Sequence, residues 1–449
     1  MPAQRCLAIA LLLQLLRPLA PASAQLMVDV TKDLGVNNPS VQVIDGVSYY
    51  NFARGDAGWI SAFEVAEARS AKRIYFPSGQ YFFGGAPNTN CGAVDIEPAN
   101  GLCYAPVVVN ADLYPSLGQG VEVFGDGVGA TAFHSWAPIA SGSALTITAN
   151  QTIGTAYWSF HDFAISLCAT GFALAFNDPA RAQPRNEFNT MHVQRISVWN
   201  GLVNQTCDSS TAWAVRPGQT RTNSAGGLYL GHIWSSTLSV DEVAVESGAP
   251  EDEFNSTAAV VLDEVQYSTL DLRGLGTGLP DAFDKPDPTN AALYFGWGVI
   301  LKANVYACTV TQLHVEIAGG GALIAASSAE NVVTSAIFSM MFFAAIVQVD
   351  ANVDGAPQYV GNNVFEAVAI NRYPVGDNMF SAVVEGNRST LIVRSVYTFP
   401  FSLKNDFNLG PAPASSSEPC VRGEQRLTGD FLFACVADGQ WKRAALEAF

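Results

Sequence analysis

At 449 residues the chain is too long for one small domain, and 49% hydrophobic residues with only 14% charged exclude both disorder and a coiled coil. The 23 Lys+Arg against 40 Asp+Glu leave a formal net charge of -17, a field that repels nucleic-acid phosphates and anionic lipid surfaces, so no nucleic-acid partner is expected. The 39 Gly and 23 Pro supply many turns.

Met1 to Ala24 has a basic start at Arg5, an apolar run from Cys6 to Leu16 and Ala22-Ser23-Ala24 before Gln25, the layout of a cleavable secretory signal over 1–24. The run is too short to span a bilayer, and no later stretch reads as a span, so a secreted protein without membrane insertion is expected. Removing Cys6 leaves seven cysteines, an odd number. Cys308 lies in an alternating apolar stretch and is expected to be free and buried. Cys91 with Cys103 and Cys420 with Cys435 each bracket a short segment and are expected to pair, leaving Cys168 with Cys207. Asn150, Asn204, Asn255 and Asn387 are sequons, of use only in a eukaryotic secretory pathway.

Only Trp59 to Ala71 has helical character: Ile60, Phe63 and Ala66 share a face and Asp56 stands where it can cap the start. Almost everything after it alternates like strand, in short units ended by Gly or Pro turns, with few hairpin dipeptides between them. Many short strands without tight hairpins pair in parallel, and without crossover helices a coiled solenoid is the simplest arrangement. A loose repeat runs through Phe160-His-Asp-Phe-Ala-Ile-Ser166, Val193-Gln-Arg-Ile-Ser-Val-Trp199, Val240-Asp-Glu-Val-Ala-Val-Glu246 and Val310-Thr-Gln-Leu-His-Val-Glu316. Stacked in that register, Phe163, Ile196, Val243 and Leu313 form one inward ladder and Ile165, Val198, Val245 and Val315 the next. Insertions or weakly patterned rungs must lie between the copies. A β-sandwich has the same alternation but calls for more hairpin signals.

The run Ala62-Phe-Glu-Val-Ala-Glu-Ala68, then Ile74-Tyr-Phe-Pro-Ser-Gly-Gln-Tyr81, then Val121-Glu-Val-Phe-Gly-Asp-Gly127 onward to Phe133 resembles the N-terminal part of the pectate-lyase-like superfamily. That resemblance implies an all-β fold, a right-handed parallel β-helix over residues 25–409 whose end is capped by a short helix. After a linker at 410–419, residues 420–449 read as a small hairpin module, with Asp438-Gly439 as its turn. Its ending, Asp430-Phe-Leu-Phe-Ala-Cys-Val436 and Gln440-Trp-Lys-Arg443, is similar to the C-terminal ends of some phage and virus structural proteins, a likeness that leaves a homotrimer open.

No metalloprotease, P-loop or nucleophile-elbow motif is present. A solenoid displays chemistry on an outward strand face. In the register above, Glu246, Asp271, Arg273, His314 and Glu316 come together as a candidate catalytic patch, with Trp199 and Trp158 as aromatic platforms for a sugar ring. Glycoside hydrolysis needs two carboxyl groups about 5 Å or ~6.5–9.5 Å apart, and rung spacing of ~4.8 Å supplies either. With one rung between them, Glu246 and Glu316 would stand ~9.6 Å apart. The leading expectation is therefore a secreted glycoside hydrolase acting on a polysaccharide by paired carboxylates. The alternatives are a lyase, in which Arg273 or His314 abstracts the proton beside a uronate carboxylate, and a noncatalytic glycan-binding adhesin. No cofactor is required. Calcium is left open by the acidic loops Glu251-Asp-Glu253 and Asp281, Asp284 and Asp287, which lack EF-hand spacing. The loop from Asp178 to Glu187, with Arg181 and Arg185, is a second groove wall to be tested.

Overall fold

The computed structural model describes residues 26–83, 106–135, 142–150, 154–167, 169, 171–179, 187–201, 226–246, 257–278, 296–324, 328–341, 344–348 and 362–371, with shorter strand segments between 352 and 445. The signal segment, Cys91, Cys103, Cys168, Cys207, Cys420, the side chain of Cys435, and both acidic loops lie outside the described residues.

The chain opens with β1 (Met27–Asp29), a hairpin of β2 (Ser40–Ile44) and β3 (Val47–Asn51), and the helix α1 (Trp59–Arg69). The N-cap of α1 is Gly58, and Asp56, two residues before it, accepts from the backbone N–H groups of Gly58 and Ser61 at 2.9 and 3.1 Å. Trp59, Ala62, Phe63 and Ala66 of α1 are fully buried. The Trp59 ring packs against Phe76, Phe133 and Phe163 at 5.1, 5.3 and 6.0 Å, so the helix plugs one end of the molecule with aromatic surface.

Next come β4 (Arg73–Tyr75), β5 (Gly79–Phe83), β6 (Val107–Asn110), β7 (Glu122–Phe124), β8 (Thr131–Ser135) and β9 (Leu145–Thr148). The coil continues through β10 (Thr155–Ala156), β11 (Ser159–Leu167), β12 (Phe172–Phe176), β13 (Phe188–Asn189), β14 (His192–Asn200), β15 (Gly226–Trp234), β16 (Thr237–Glu246) and β17 (Ala258–Gln266). It then runs through β18 (Thr269–Gly278), β19 (Trp297–Ala303), β20 (Thr309–Ala318), β21 (Gly320–Ile324), β22 (Val332–Val333), β23 (Ala336–Met341) and β24 (Ala344–Gln348). Pairing is parallel throughout this stretch. One sheet carries β7, β8, β11, β14, β16, β18, β20 and β23, and a second carries β9, β12, β15, β17, β19, β21 and β24, so from β11 to β24 the chain visits each sheet once per turn. This is a parallel β-helix, and the sandwich alternative is excluded. Three antiparallel strands, Gln425–Leu427, Phe431–Ala437 and Gln440–Ala445, follow near the C-terminus.

The interior is built of aliphatic and aromatic ladders. Val28, Ile74, Val123, Phe160, Val193, Leu238, Leu270, Val310, Val333 and Phe365 stand in one column, each paired with the next. All ten are buried, and each large side chain so enclosed contributes about 1.5–3 kcal/mol. The second column is Phe163, Ile196, Val240, Leu272 and Leu313, and the third is Ile165, Val198, Val243, Leu275 and Val315.

This corrects the sequence register at one rung. Val240, not Val243, belongs beside Ile196, and Val243 belongs beside Val198. The strands bend between their first and second halves, and the extra residue at the bend shifts position. In β14 it precedes Ile196, in β16 it follows Val240, and the pairing slips on both sides of that point. The inward spacing is thus 0, 3, 5 in β14 but 0, 2, 5 in β16. The decoy run Val240-Asp-Glu-Val-Ala-Val matches the wrong template.

Left-handed residues mark the other corners. Tyr157, Thr190, Ser235, Tyr267 and Ala307 all have positive φ. Each donates its N–H to the next turn, to the carbonyls of Asn189, Trp234, Gln266, Tyr306 and Ala329 at 3.0–3.2 Å. Just inside this corner runs a buried polar column of Ser236, Ser268, Cys308, Asn331 and Asn363, in which side chains take up backbone N–H groups of neighbouring turns. Cys308 is free and buried, as expected.

The second sheet explains the irregular repeat. Its strands read Phe-Ala-Leu-Ala-Phe, Gly-Gly-Leu-Tyr-Leu and Ala-Ala-Val-Val-Leu, apolar on both faces. Its outer residues Ala175, Tyr229, Val261, Ile300 and Leu323 form a separate buried cluster. Those strands carry no alternation by which to recognise a rung.

Candidate functional site

With the outer face of the second sheet buried, the outer face of the first sheet is the polar wall of the coil. The sequence-derived patch lies on it but does not converge. β18 is the single rung between β16 and β20, as anticipated. Glu246, however, pairs with Gly278, whereas Leu275 pairs with Val315, so Glu246 lies two residues beyond the Glu316 row. Two residues along the strand and two rungs across separate these Cα atoms by ~12 Å. Asp271 pairs with Gln312, four residues short of Glu316, a separation of ~14 Å. Both exceed the ~6.5–9.5 Å that inversion uses unless the side chains lean towards each other, and both described carboxylates are engaged elsewhere. Arg273 Nε donates to Asp271 Oδ1 at 2.9 Å and its Nη2 to the other oxygen. His314 Nε2 lies 3.0 Å from Glu316 Oε1. The side chain of Glu246 is outside the described residues.

The two tryptophans separate as well. Trp199 stands between Ser166 and Ala244 rather than beside Glu246. Trp158 is fully buried, with Nε1 donating to the Leu117 carbonyl at 2.8 Å, so its ring presents no face to a ligand. Asn150 is likewise buried, its amide donating to the Ala111 carbonyl, which closes that sequon to a glycan.

A denser group of functional side chains lies at the other end of the wall and was not picked out from the sequence. Arg73, Glu122 and Ser159 occupy one outward row, and Tyr75, Phe124, His161 and Gln194 the next. Arg73 Nε donates to Glu122 Oε2, and His161 Nε2 lies 3.1 Å from Glu122 Oε1. His161 Nδ1 lies 2.6 Å from Asp162 Oδ2, and Arg195 holds both Asp162 oxygens. The result is one continuous chain, Arg73–Glu122–His161–Asp162–Arg195, crossing four turns of the coil. Tyr75 stacks on Phe124 at 5.1 Å and Phe124 on His161 at 5.6 Å, with the Arg73 guanidinium 4.7 Å over the Phe124 ring. The repeated triplet Arg73-Ile-Tyr75, Glu122-Val-Phe124, Ser159-Phe-His161 is the signal that marks it.

Alongside, Asp126 of the Gly125-Asp-Gly127 turn accepts from the Tyr75 hydroxyl and from the Ser78 N–H and hydroxyl at 2.7–3.0 Å. This is what the Phe76-Pro-Ser-Gly79 segment is for locally. Gly79 has φ +152°, and a Cβ there would lie 2.3 Å from the Tyr50 ring.

The electrostatics of this group oppose acid catalysis. Burial disfavours ionisation of Glu122, but hydrogen bonds from Arg73 and His161 outweigh it and hold the carboxyl below its usual range. The Arg195 hydrogen bond does the same for Asp162 against its burial. Asp126 is also held low, its bonds from Ser78 and Tyr75 outweighing burial. Tyr75 is pushed up to about 12, by burial first and by Asp126 second. A general acid needs its carboxyl pKa raised, and these three are lowered. Among the described residues no three His, Cys, Asp or Glu side chains converge as metal donors. A cavity lined by Leu272, Val310, Leu313, Val333, Asn331 and Asn363 lies inside the coil, away from the wall. Among the described residues no helix is long and apolar enough to cross a membrane.

No family model matches the sequence, and no curated protein is similar to it in sequence. Among solved structures, the A-module of the mannuronan C-5 epimerase AlgE6 of Azotobacter vinelandii superposes with a TM-score of 0.31 at 10% identity, covering 84% of this chain and 100% of that one. ORF18 of Geobacillus virus E2 gives 0.30 at 9% identity, covering 94% and 76%. The catalytic unit of the GH87 alpha-1,3-glucanase of Streptomyces thermodiastaticus strain HF3-3 gives 0.23 at 13% identity, covering 83% and 70%.

Proposed function

We propose that the chain is a secreted, right-handed parallel β-helix that binds an extended, weakly charged polysaccharide along the outer wall of its first sheet without cleaving it. The observation that carries this reading is the network from Arg73 to Arg195. Planar guanidinium, carboxylate and imidazole groups stand there on successive rungs ~4.8 Å apart, about the advance of one sugar along an extended chain. Guanidinium and carboxylate groups present two parallel hydrogen-bonding atoms to a pair of hydroxyls, and an imidazole adds a single one. The two arginines balance the two carboxylates, which suits a neutral glycan better than a polyuronate. Their lowered carboxyl pKa values speak against glycosidic acid catalysis at this network.

Titration calorimetry against a polysaccharide panel tests it. We expect saturable binding of a neutral glycan, weakened at least tenfold in Arg195→Ala, with no new reducing ends. Hydrolysis by Glu246, Asp271 and Glu316 is the second reading, supported by the single rung between β16 and β20. Reducing ends lost in Glu316→Gln would establish it in place of the first. Ultraviolet-absorbing unsaturated products lost in Arg273→Ala or His314→Ala would establish the lyase.

A further inference from the structure

Among the described residues, the end of the coil that carries α1 leaves one strand edge unpaired. β3 pairs in parallel with β5, and β2 folds back antiparallel on β3; among the described residues nothing pairs with the far edge of β2. All five residues of β2 are exposed, with Val41 at 53% and Val43 at 64%. A five-residue strand with an open edge and apolar side chains is an unprotected pairing template, the feature soluble proteins ordinarily cover or charge.

The side chains point in an informative direction. Residues directly opposite on paired strands share a face. Val41 lies opposite Tyr50 and Val43 opposite Ser48. Tyr50 faces the interior, stacked on the buried Tyr81 at 4.8 Å. Val41 and Val43 therefore continue the inward face of the coil one strand past its last covered turn.

We propose that β2 is the contact surface of a head-to-head homodimer, in which it pairs antiparallel with β2 of a second copy across a twofold axis through Gln42. Two observations, and one consequence of the pairing, select a second copy as the occupant. Val41-Gln42-Val43 reads the same in both directions, so the twofold sets Val41 against Val43 of the other chain and the alternation matches itself. The inward face of each coil then runs on into the other without a change of register. Finally, the chain carries a net charge of -17, and copies repel one another over most of their surface, yet from Leu34 to Ala53 the only charged residue is Asp45.

The test is the mass of the full-length chain in solution. Sedimentation equilibrium is expected to give twice the mass of one chain at micromolar concentration, which is twice 47.6 kDa if residues 1–24 are retained. Val43→Lys, which sets two like charges near the axis, is expected to give a monomer with an unchanged circular dichroism spectrum. Gln42→Cys is expected to yield a disulfide-linked dimer under mild oxidation, because Cα atoms across an antiparallel pair lie ~4.5–5.5 Å apart, within disulfide reach. The same change at the distant exposed position, Ile337→Cys, is expected to yield none. A monomeric wild-type chain, a trimer, or a dimer that survives Val43→Lys without linkage at Gln42→Cys overturns the proposal.

Discussion

Arg195 reaches across one turn of the coil to hold both oxygens of Asp162, Nε to Oδ1 at 2.5 Å and Nη2 to Oδ2 at 2.7 Å, and both residues sit in the left-handed region at φ +48° and +65°. The bend that spaces the wall is thus made by two non-glycine residues whose side chains hold each other in place. Removing the pair and relieving the backbone act in opposite directions. Arg195→Ala loses the ion pair and is expected to cost about 0.5–1 kcal/mol, because the guanidinium is half exposed. Arg195→Gly loses the same pair but relieves about 1 kcal/mol of left-handed strain and is expected to lie near wild type. Urea denaturation of the three proteins gives the order.

His134 gives the molecule an acid sensitivity of its own. Its ring lies tilted against Phe82 at 5.6 Å and contacts the Gln80 amide, and burial lowers its pKa to about 4. The folded protein keeps this imidazole neutral where the unfolded chain takes up a proton near pH 6.5. The unfolded state therefore binds more protons between pH 6.5 and 4, and stability falls as the pH drops through that window, by on the order of 3 kcal/mol when complete. His134→Gln is expected to flatten the curve there. It leaves the steeper loss below about pH 4, where the depressed carboxylates Glu122, Asp126 and Asp162 protonate and their contribution disappears. Unfolding free energies at pH 7, 5 and 3 separate the two.

Leu270 occupies the middle of the first interior column, between Leu238 and Val310, and is fully buried. Leu270→Ala is expected to destabilise by about 2–5 kcal/mol, since parallel strands on both sides prevent the cavity from collapsing. Thermal unfolding gives the value.

Cys308 should be silent to thiol reagents in the native state. Burial pushes its thiol up to about 11, and Sγ faces the Val265 carbonyl at 3.3 Å. Labelling at this residue is expected only after denaturation. Cys308→Ser is expected to cost under ~1 kcal/mol, because a hydroxyl continues the column set by Ser236 and Ser268. Mass spectrometry of native and denatured labelled samples checks the first point and urea denaturation the second.

The first sheet was legible in the sequence because one face of each strand meets water: Phe163 with Ile196 and Ile165 with Val198 can be paired from alternation alone. The second sheet was not, since Ala175, Tyr229 and Val261 are buried on its outer side and leave the strands uniformly apolar. The candidate patch depended on knowing where each strand bends. Alternation specifies which side a residue faces but not which of two neighbouring positions absorbs the extra residue, and that choice moved Glu246 two places from Glu316. Trp158 failed as a platform for a simpler reason. An aromatic residue beside a corner reads the same whether it turns outward or, as here, inward to the Leu117 carbonyl.

The corner column running from Tyr157 to Ala307 joins each turn to the next by the same backbone contact, and no turn is fastened to one more distant by these bonds. A force applied along the chain would meet these joints in sequence. From Thr237 to Thr269 is 32 residues and from Thr269 to Thr309 is 40, so each joint that gives way frees roughly 110 to 140 Å of slack at ~3.4 Å per residue. The coil would lengthen as a ratcheted tether, one turn at a time, keeping its remaining turns folded while it absorbs a pull.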